Sequence, residues 1–255
     1  MLTELFANME TLDVLDERDR YALERAISQV TNVPAHATIV RANSRLTDSK
    51  LLLDGYVCRC KDLASGQRQI VGLHLAGDFI DLHSFLLKKL DHDIVTLTPV
   101  RMASVPHAAL ERLTEENPRL TRILWHSTLR DSSVHREWIL SIGQRSGIGR
   151  IAHLICEMYM RSRAAGLTDG ASFSFPLTQI ELGEACGMTS VHTNRMLQQL
   201  RREQTVAMSM KKVRILDWDR LADIAEFDPA YLYLNGLAPL SFPSRPAQAI
   251  RLPAA

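Results

Sequence analysis

The absences in this sequence narrow it first. It has only four cysteines in 255 residues, without framework spacing, which argues against a disulfide-stapled fold and for reduced thiols. No apolar run approaches the roughly 20 residues a helix needs to span a bilayer, so no membrane partner is expected. The opening stretch MLTELFANMETLDVLDERD is acidic and has no apolar signal core, so a cytoplasmic location is expected. A strong charge of either sign is also missing: the net charge is +1. With 46% apolar residues, this describes a globular chain long enough for one large or two ordinary domains.

The near-neutral total hides an asymmetry. Residues 148–216 carry nine Lys and Arg against five Asp and Glu, an excess of +4, while the flanking segments sum to −1 and −2. The basic segment contains FPLTQIELGEACGMTSVHTNRMLQQLRR, residues 175–202. Thr178 is placed as an N-cap with Glu181 completing a capping box, and Leu182 and Ala185 give that helix an apolar face with Ile180 alongside. Gly187 closes it through a left-handed C-cap. Thr189 or Ser190 caps a second helix that is apolar at Met196, Leu197 and Leu200 and otherwise polar and basic. Two helices joined by a short glycine-containing turn form a helix-turn-helix pattern, whose second helix meets base edges in the major groove.

The rest of the chain falls into order around this motif. Residues 15–30 read as an amphipathic helix through Tyr21, Leu23, Ala26 and Ile27. Short β-rich runs follow at 38–41, 50–53, 56–61, 69–75, 94–97 and 100–105, separated by turn signals such as Asp54-Gly55 and Gly77-Asp78. This spacing predicts a small antiparallel barrel or jelly roll, interrupted by a helical apolar pattern over 79–90. A short helix at 107–114 and a long one from Pro118 to about Gln144 come next, and after a break at Gly147–Gly149 the helix resumes over 151–163. Leu120, Leu124, Ser127, Asp131, Val134, Trp138 and Ser141 fall at a/d spacing on the long helix, a heptad seam open to two readings: dimerisation, or packing on the chain's own barrel. Residues 205–208 and 212–216 flank Lys211-Lys212 as a hairpin wing, and 217–225 form a last helix. The expected divisions are an N-terminal helix and β-roll (1–116), a connecting helix (117–147), a winged helix-turn-helix (148–235) and a Pro- and Ala-rich unstructured tail (236–255). The fold class is therefore α+β: an antiparallel β-roll, a long helix and a C-terminal winged helix-turn-helix.

This order resembles the Crp/Fnr superfamily of bacterial transcription regulators. The matching pieces are Gly149-Arg150-Ile151-Ala152, then Leu177-Thr178, Leu182-Gly183, Gly187-Met188-Thr189 and Asn194-Arg195, with Asp54-Gly55 and Gly77-Asp78-Phe79 in the roll. The resemblance implies a cyclic-nucleotide-binding-like roll. It also implies a homodimer joined along helix 117–144, binding to a palindromic double-stranded DNA operator, and contact with RNA polymerase. On this basis the DNA-facing residues are Thr178, Thr189, Ser190, Val191, His192, Asn194, Arg195, Gln198 and Arg201, with Lys211 and Lys212 from the wing. Arg195 holds the guanine-reading position, an arginine bidentate to guanine being the commonest specific contact. Ser190 and Val191 stand where the family commonly has Arg and Glu, so an atypical half-site is expected.

The roll departs from the family pattern as well. Cyclic-AMP-binding members carry an arginine that neutralises the phosphate, and here that position falls near Asp91-His92-Asp93. Tight cyclic AMP binding is therefore not expected, and no cofactor is expected; the effector is another molecule or none. The iron–sulfur mechanism of oxygen-sensing relatives uses several N-terminal cysteines, and no cysteine precedes Cys58 here. The candidate effector pocket comprises Asp78, Asp81, His83 and His92, with His135 and Arg136 from the long helix. His74, His83 and His92 beside Asp81, Asp91 and Asp93 offer an alternative metal or haem site, against the plainer reading of loop and surface residues, or of hydrogen-bonded partners filling a pocket that lost its nucleotide. Cys58 and Cys60 share one strand face, while Cys156, Cys186, Trp125 and Trp138 read as packing residues, the tryptophans against the roll. A cupin-like enzyme needs a metal triad that the sequence does not offer, and a protein adaptor sits poorly with the basic head. The reading is a DNA-binding regulator and not an enzyme.

Overall fold

The computed structural model describes residues 16–209 and 211–234. Helix α1 (Glu17–Ala26) is capped by Asp16, whose side chain accepts from the Asp19 amide. It is shorter than the sequence pattern predicts, because residues after Ile27 turn into strand β1 (Gln29–Val33). Strands β2 (Thr38–Val40), β3 (Asp48–Asp54), β4 (Tyr56–Asp62) and β5 (Arg68–Leu75) follow. Over 79–90 only α2 (Ser84–Leu87) is helical, and it leaves Leu86 and Leu87 exposed. The apolar signal there comes from Phe79, Ile80, Leu82 and Leu90, which are buried in the roll by long-range contacts rather than by a helix face. Strands β6 (Asp93–Thr96) and β7 (Val100–Pro106) complete the roll.

Two antiparallel sheets face each other, in the orders β1-β7-β3 and β2-β6-β4-β5. Val40, Leu52, Val57, Ile80, Leu90, Ile94, Val100 and Met102 fill the space between them. The outer side of the first sheet is covered by α1, α3 (His107–Glu116) and the start of α4 (Pro118–Gln144), which seals Leu51, Leu53, Ala103 and Val105. Along β4, Val57 and Arg59 point inward, and Tyr56, Cys58 and Cys60 point outward into a second apolar cluster. That cluster continues into the DNA-binding half, so β4 is buried on both faces.

Asn117 caps α4 by accepting from the Leu120 amide at 3.1 Å, with Pro118 at the first helical position. The helix ends at Gln144. α5 (Gly147–Ala164) starts at once from Ser146, its N-cap, so the break lies at Arg145-Ser146 and the glycines belong to the first turn of α5. Strands β8 (Thr168–Asp169) and β9 (Ser172–Ser174) lead to α6 (Gln179–Cys186), α7 (Ser190–Arg202), β10 (Val206–Ser209), β11 (Lys212–Ile215) and α8 (Trp218–Ala225). The four short strands make one sheet in the order β10-β11-β9-β8, with the β10–β11 hairpin as the wing. A 3₁₀ turn (Pro229–Leu232) then packs back against α4 and α5. The expected tail 236–255 lies outside the described residues.

The heptad seam predicted on α4 faces the chain's own body. Leu120, Leu124, Trp138 and Ser141 are buried, and the Trp138 indole donates to Glu157 of α5 at 3.0 Å. The opposite face carries a second stripe at the same spacing: Arg122, Trp125, Leu129, Ser132, Arg136 and Ile139 are all exposed. Trp125 is 64% exposed and so does not pack against the roll as its sequence position implied.

Candidate functional site

The geometry of the helix-turn-helix is set by a few residues. Thr178 accepts from the Glu181 amide at 3.2 Å, and the Glu181 carboxylate accepts from the Thr178 amide at 2.8 Å, the reciprocal pair of a capping box. Gly187 ends α6 with φ +64°, the left-handed conformation that favours glycine. Gly183 is required for a different reason: a Cβ on it would stand 2.6 Å from the Met188 carbonyl oxygen. Its absence lets the turn fold tightly onto α6. Thr189 caps α7 through the His192 amide, and Thr193, Leu197 and Leu200 bury that helix against the rest of the domain.

What remains outward on α7 is polar and basic. Ser190, Val191, Arg195, Gln198, Arg201 and Arg202 are exposed, Val191 at 80%. Gln198 donates to Asn194 at 2.8 Å, and Asn194 donates to Gln179 of α6 at 2.9 Å, which orients three amide side chains along one edge. His192 is tied back: its ring lies 2.9 Å from an Arg195 guanidinium nitrogen and packs against Gly147 at the start of α5. Lys211 and Lys212 stand exposed at the wing turn, beside a cleft of about 290 Å³ that they share with Arg201, Thr178 and Gln179. Of the residues predicted from the sequence to face DNA, Thr178, Arg201, Lys211 and Lys212 share one cleft and Ser190, Val191, Arg195 and Gln198 are exposed on α7, whereas the Thr178 and Thr189 hydroxyls are engaged as caps and His192 is turned back toward α5.

The roll pocket is different from the one the sequence implied. Between β5, α4 and α5 lies a cavity of about 30 Å³, room for a water or two. Of the predicted pocket residues, Asp78 and His135 line it. The other four lie elsewhere. Asp81 is buried and accepts from the Lys50 amide at 2.6 Å. His83 and His92 set their rings 5.4 Å apart at a tilt of 38° and do not line the cavity, and Arg136 is on the exposed stripe of α4. Asp91 turns out to Lys61, and Asp93 accepts from the Ala42 amide, so neither acid faces the pocket. Among the described residues, no three His, Cys, Asp or Glu side chains gather into a group fit to hold a metal. The histidines and aspartates that alternate so closely in sequence are dispersed by the pleat and the loop.

Four residues at this site were not singled out as pocket residues from sequence: Arg59, Arg130, Asp131 and Arg161. Arg59, a lone charge within the buried run Tyr56–Cys60, donates to the Ile80 carbonyl at 2.9 and 2.7 Å and to Asp131 of α4 at 2.5 Å. Asp78 collects partners from three elements. Arg161 of α5 donates to it at 2.8 Å and to the Leu73 carbonyl at 2.9 Å, Arg130 of α4 lies at 3.5 Å, and His74 of β5 at 3.6 Å. Burial alone would raise the Asp78 carboxyl, but the Arg161 guanidinium and the other partners hold it well below the usual carboxylate range. His74 is pushed down to about 4, first by burial and then by the Arg59 charge, so it is neutral at physiological pH. Arg161 also holds the buried Glu157 at 3.2 Å, linking the pocket to Trp138 and Tyr231, each 3.0 Å from the other Glu157 oxygen. The cassette is thereby fastened to the long helix and to the first helix of the DNA-binding half.

A roll fastened through a long helix to a winged helix-turn-helix with an exposed basic reading helix defines a DNA-binding regulator. The comparisons agree. Residues 30–117 match the cyclic nucleotide-binding domain, and residues 149–224 match the Crp-like helix-turn-helix domain. The transcriptional activator protein FnrL of Cereibacter sphaeroides is 24% identical over 217 residues, covering 84% of this chain and 86% of its own. The nitrogen fixation regulation protein FixK of Bradyrhizobium diazoefficiens is 28% identical over 177 residues, covering 68% and 72%. The solved structure of FixK2 from Bradyrhizobium japonicum superposes with a TM-score of 0.71 at 20% identity, covering 78% of this chain and 97% of that one, a likeness of fold. The chain belongs to the Crp/Fnr superfamily of transcription regulators. No helix among the described residues is long and apolar enough to cross a membrane.

Proposed function

We propose that this protein acts as a homodimer on a palindromic operator, with α7 of each protomer in a major groove. The observation that carries this reading is the outward edge of α7, where Arg195, Gln198 and Arg201 stand exposed beside Lys211 and Lys212 of the wing. Arg195 reads guanine by a bidentate contact, and Arg201 and the wing lysines meet phosphates. Val191, apolar where the family commonly has an acid, favours contact with a thymine methyl over a cytosine amine. The exposed stripe of α4 supports the dimer: Trp125, Leu129 and Ile139 at heptad spacing form a seam suited to a second copy of the same helix. RNA polymerase is the partner that a DNA-bound regulator of this family would meet.

The roll is proposed to work without cyclic AMP. Its cavity is far below the roughly 300–1,000 Å³ of an ordinary ligand site. Arg59, Arg130 and Arg161, the cations near it, are already engaged by Asp131, Asp78 and Glu157. Calorimetry tests this: no heat of binding is expected at micromolar cyclic AMP, and micromolar affinity would refute it. A mobility-shift titration with DNA from the protein's own promoter region tests the main reading. It should give a specific complex of two protomers per site; failure to discriminate that DNA from random sequence would overturn it.

A further inference from the structure

The outer face of β4 presents Cys58 and Cys60, two residues apart and directed the same way, beneath the apolar cluster that joins the roll to α5 and α6. Both are buried, at 0% and 4% exposure, and the strand alternation turns both side chains into the same apolar cluster. Arg68 of β5 donates from one guanidinium nitrogen to the Cys58 sulfur at 3.2 Å. Its Nε faces Glu184 of α6 at 3.7 Å, and neither Nε nor that Glu184 oxygen has a hydrogen-bond partner, although both are buried. One guanidinium therefore stands between a pair of sulfurs and a carboxylate of the helix-turn-helix, firmly bonded to the first and loosely to the second.

We propose that Cys58 and Cys60 form a binding site for a soft monovalent metal ion of the copper(I) class, with Arg68 as its counter-charge. The chemistry of the donors selects the ion. Thiolates favour soft cations. A structural zinc ion wants about four ligands, and among the described residues no group of three His, Cys, Asp or Glu side chains fit to hold a metal includes this pair. Two sulfurs suffice for a monovalent d10 ion, which accepts two-coordinate geometry. A disulfide is the weaker alternative, because residues two apart on an extended strand sit at about 6.6–6.8 Å between Cα atoms, the far edge of disulfide geometry. Binding replaces two S–H bonds with two metal–sulfur bonds and releases two protons, leaving a bis-thiolate complex of charge −1. Arg68 neutralises that charge without moving off the sulfur. The stronger negative charge at the sulfurs draws the guanidinium further from Glu184, so loading loosens α6 from the roll.

The test is a competition titration of the full-length protein with copper(I) against a chromophoric copper(I) chelator, under anaerobic reducing conditions. The expected result is one equivalent bound per chain, at least about 100-fold more weakly in Cys58→Ser and in Cys60→Ser, and about 10-fold more weakly in Arg68→Gln. Cys58→Ala/Cys60→Ala, with circular dichroism confirming the fold, guards against a buried serine hydroxyl disturbing the sheet. Cys156 and Cys186, each on a separate helix, remain in every variant as internal controls. The proposal is overturned if the double alanine variant binds copper(I) with the stoichiometry and affinity of the natural protein, or if the natural protein does not compete with the chelator.

Discussion

Gly183 and Arg195 divide the work of the reading head at the scale of single residues. Gly183 makes the head possible, because any larger side chain meets the Met188 carbonyl. Gly183→Ala should cost about 1–3 kcal/mol of stability through overpacking, read as a lowered urea midpoint. Arg195 is proposed to contribute to specificity and not to the fold: its side chain is exposed and hydrogen-bonds to His192. Arg195→Ala should leave the urea midpoint unchanged and weaken specific DNA binding by about 1–3 kcal/mol. Unchanged affinity for the cognate site would remove Arg195 from the interface. Asp78 is the third decisive residue. Asp78→Asn takes the carboxylate from Arg161 and Arg130 and should destabilise by about 3 kcal/mol, the usual penalty of breaking a buried pair from one side. A midpoint within error of the natural protein would show that the cassette does not fasten the roll to α5.

At the scale of elements, α4 shows what a sequence does and does not reveal. Its start at Pro118 and its end near Gln144 are legible from capping and periodicity, and so are the capping box and the C-cap of α6. The face that α4 turns outward is not. Two heptad stripes run along the helix, one through Leu120, Leu124 and Trp138 and one through Trp125, Leu129 and Ile139, and both are apolar enough for a seam. Only the packing of α4 against its own body, through Trp138–Glu157 and Arg59–Asp131, assigns the second stripe to solvent. The pocket was illegible for a related reason. Arg59, Arg130 and Arg161 belong to three elements far apart in sequence, and no local pattern brings them to Asp78 and Asp131. A lone arginine within the buried run Tyr56–Cys60 was the one available signal. Ile139 is 72% exposed, so Ile139→Glu should not lower the thermal midpoint of the protomer. It places like charges across the proposed seam, and sedimentation velocity should show monomers where the natural protein sediments as a dimer.

At the scale of the whole molecule, stability should depend on pH through buried neutral histidines. His74 is lowered from 6.5 to about 4 by burial and then by Arg59. Burial lowers His83 to about 3, with Arg59 adding to it, and lowers His153 to about 3, with Arg145 adding to it. In each case the unfolded chain takes up a proton near pH 6.5 that the folded chain refuses until the lower value. The histidines' contribution is therefore intact above about pH 7 and is lost as the pH falls from 6.5 toward 4, while burial pushes the Asp81 carboxyl up to about 7, so that it works in the opposite sense over the same range. For His74 the loss reaches about 3 kcal/mol at the bottom of that window. Urea midpoints at pH 7 and pH 5 measure it, and the decline should be shallower in His74→Gln.

These scales meet in one claim, that two copies of α7 are held by α4 at the spacing of two half-sites. Nuclease footprinting of the purified protein on its own promoter-region DNA tests that claim directly. Two protected half-sites of inverted sequence are expected, with centres about 10–10.5 base pairs apart, one helical turn, lost together in Ile139→Glu and in Arg195→Ala. A single protected half-site, or protection that does not depend on sequence, would contradict it.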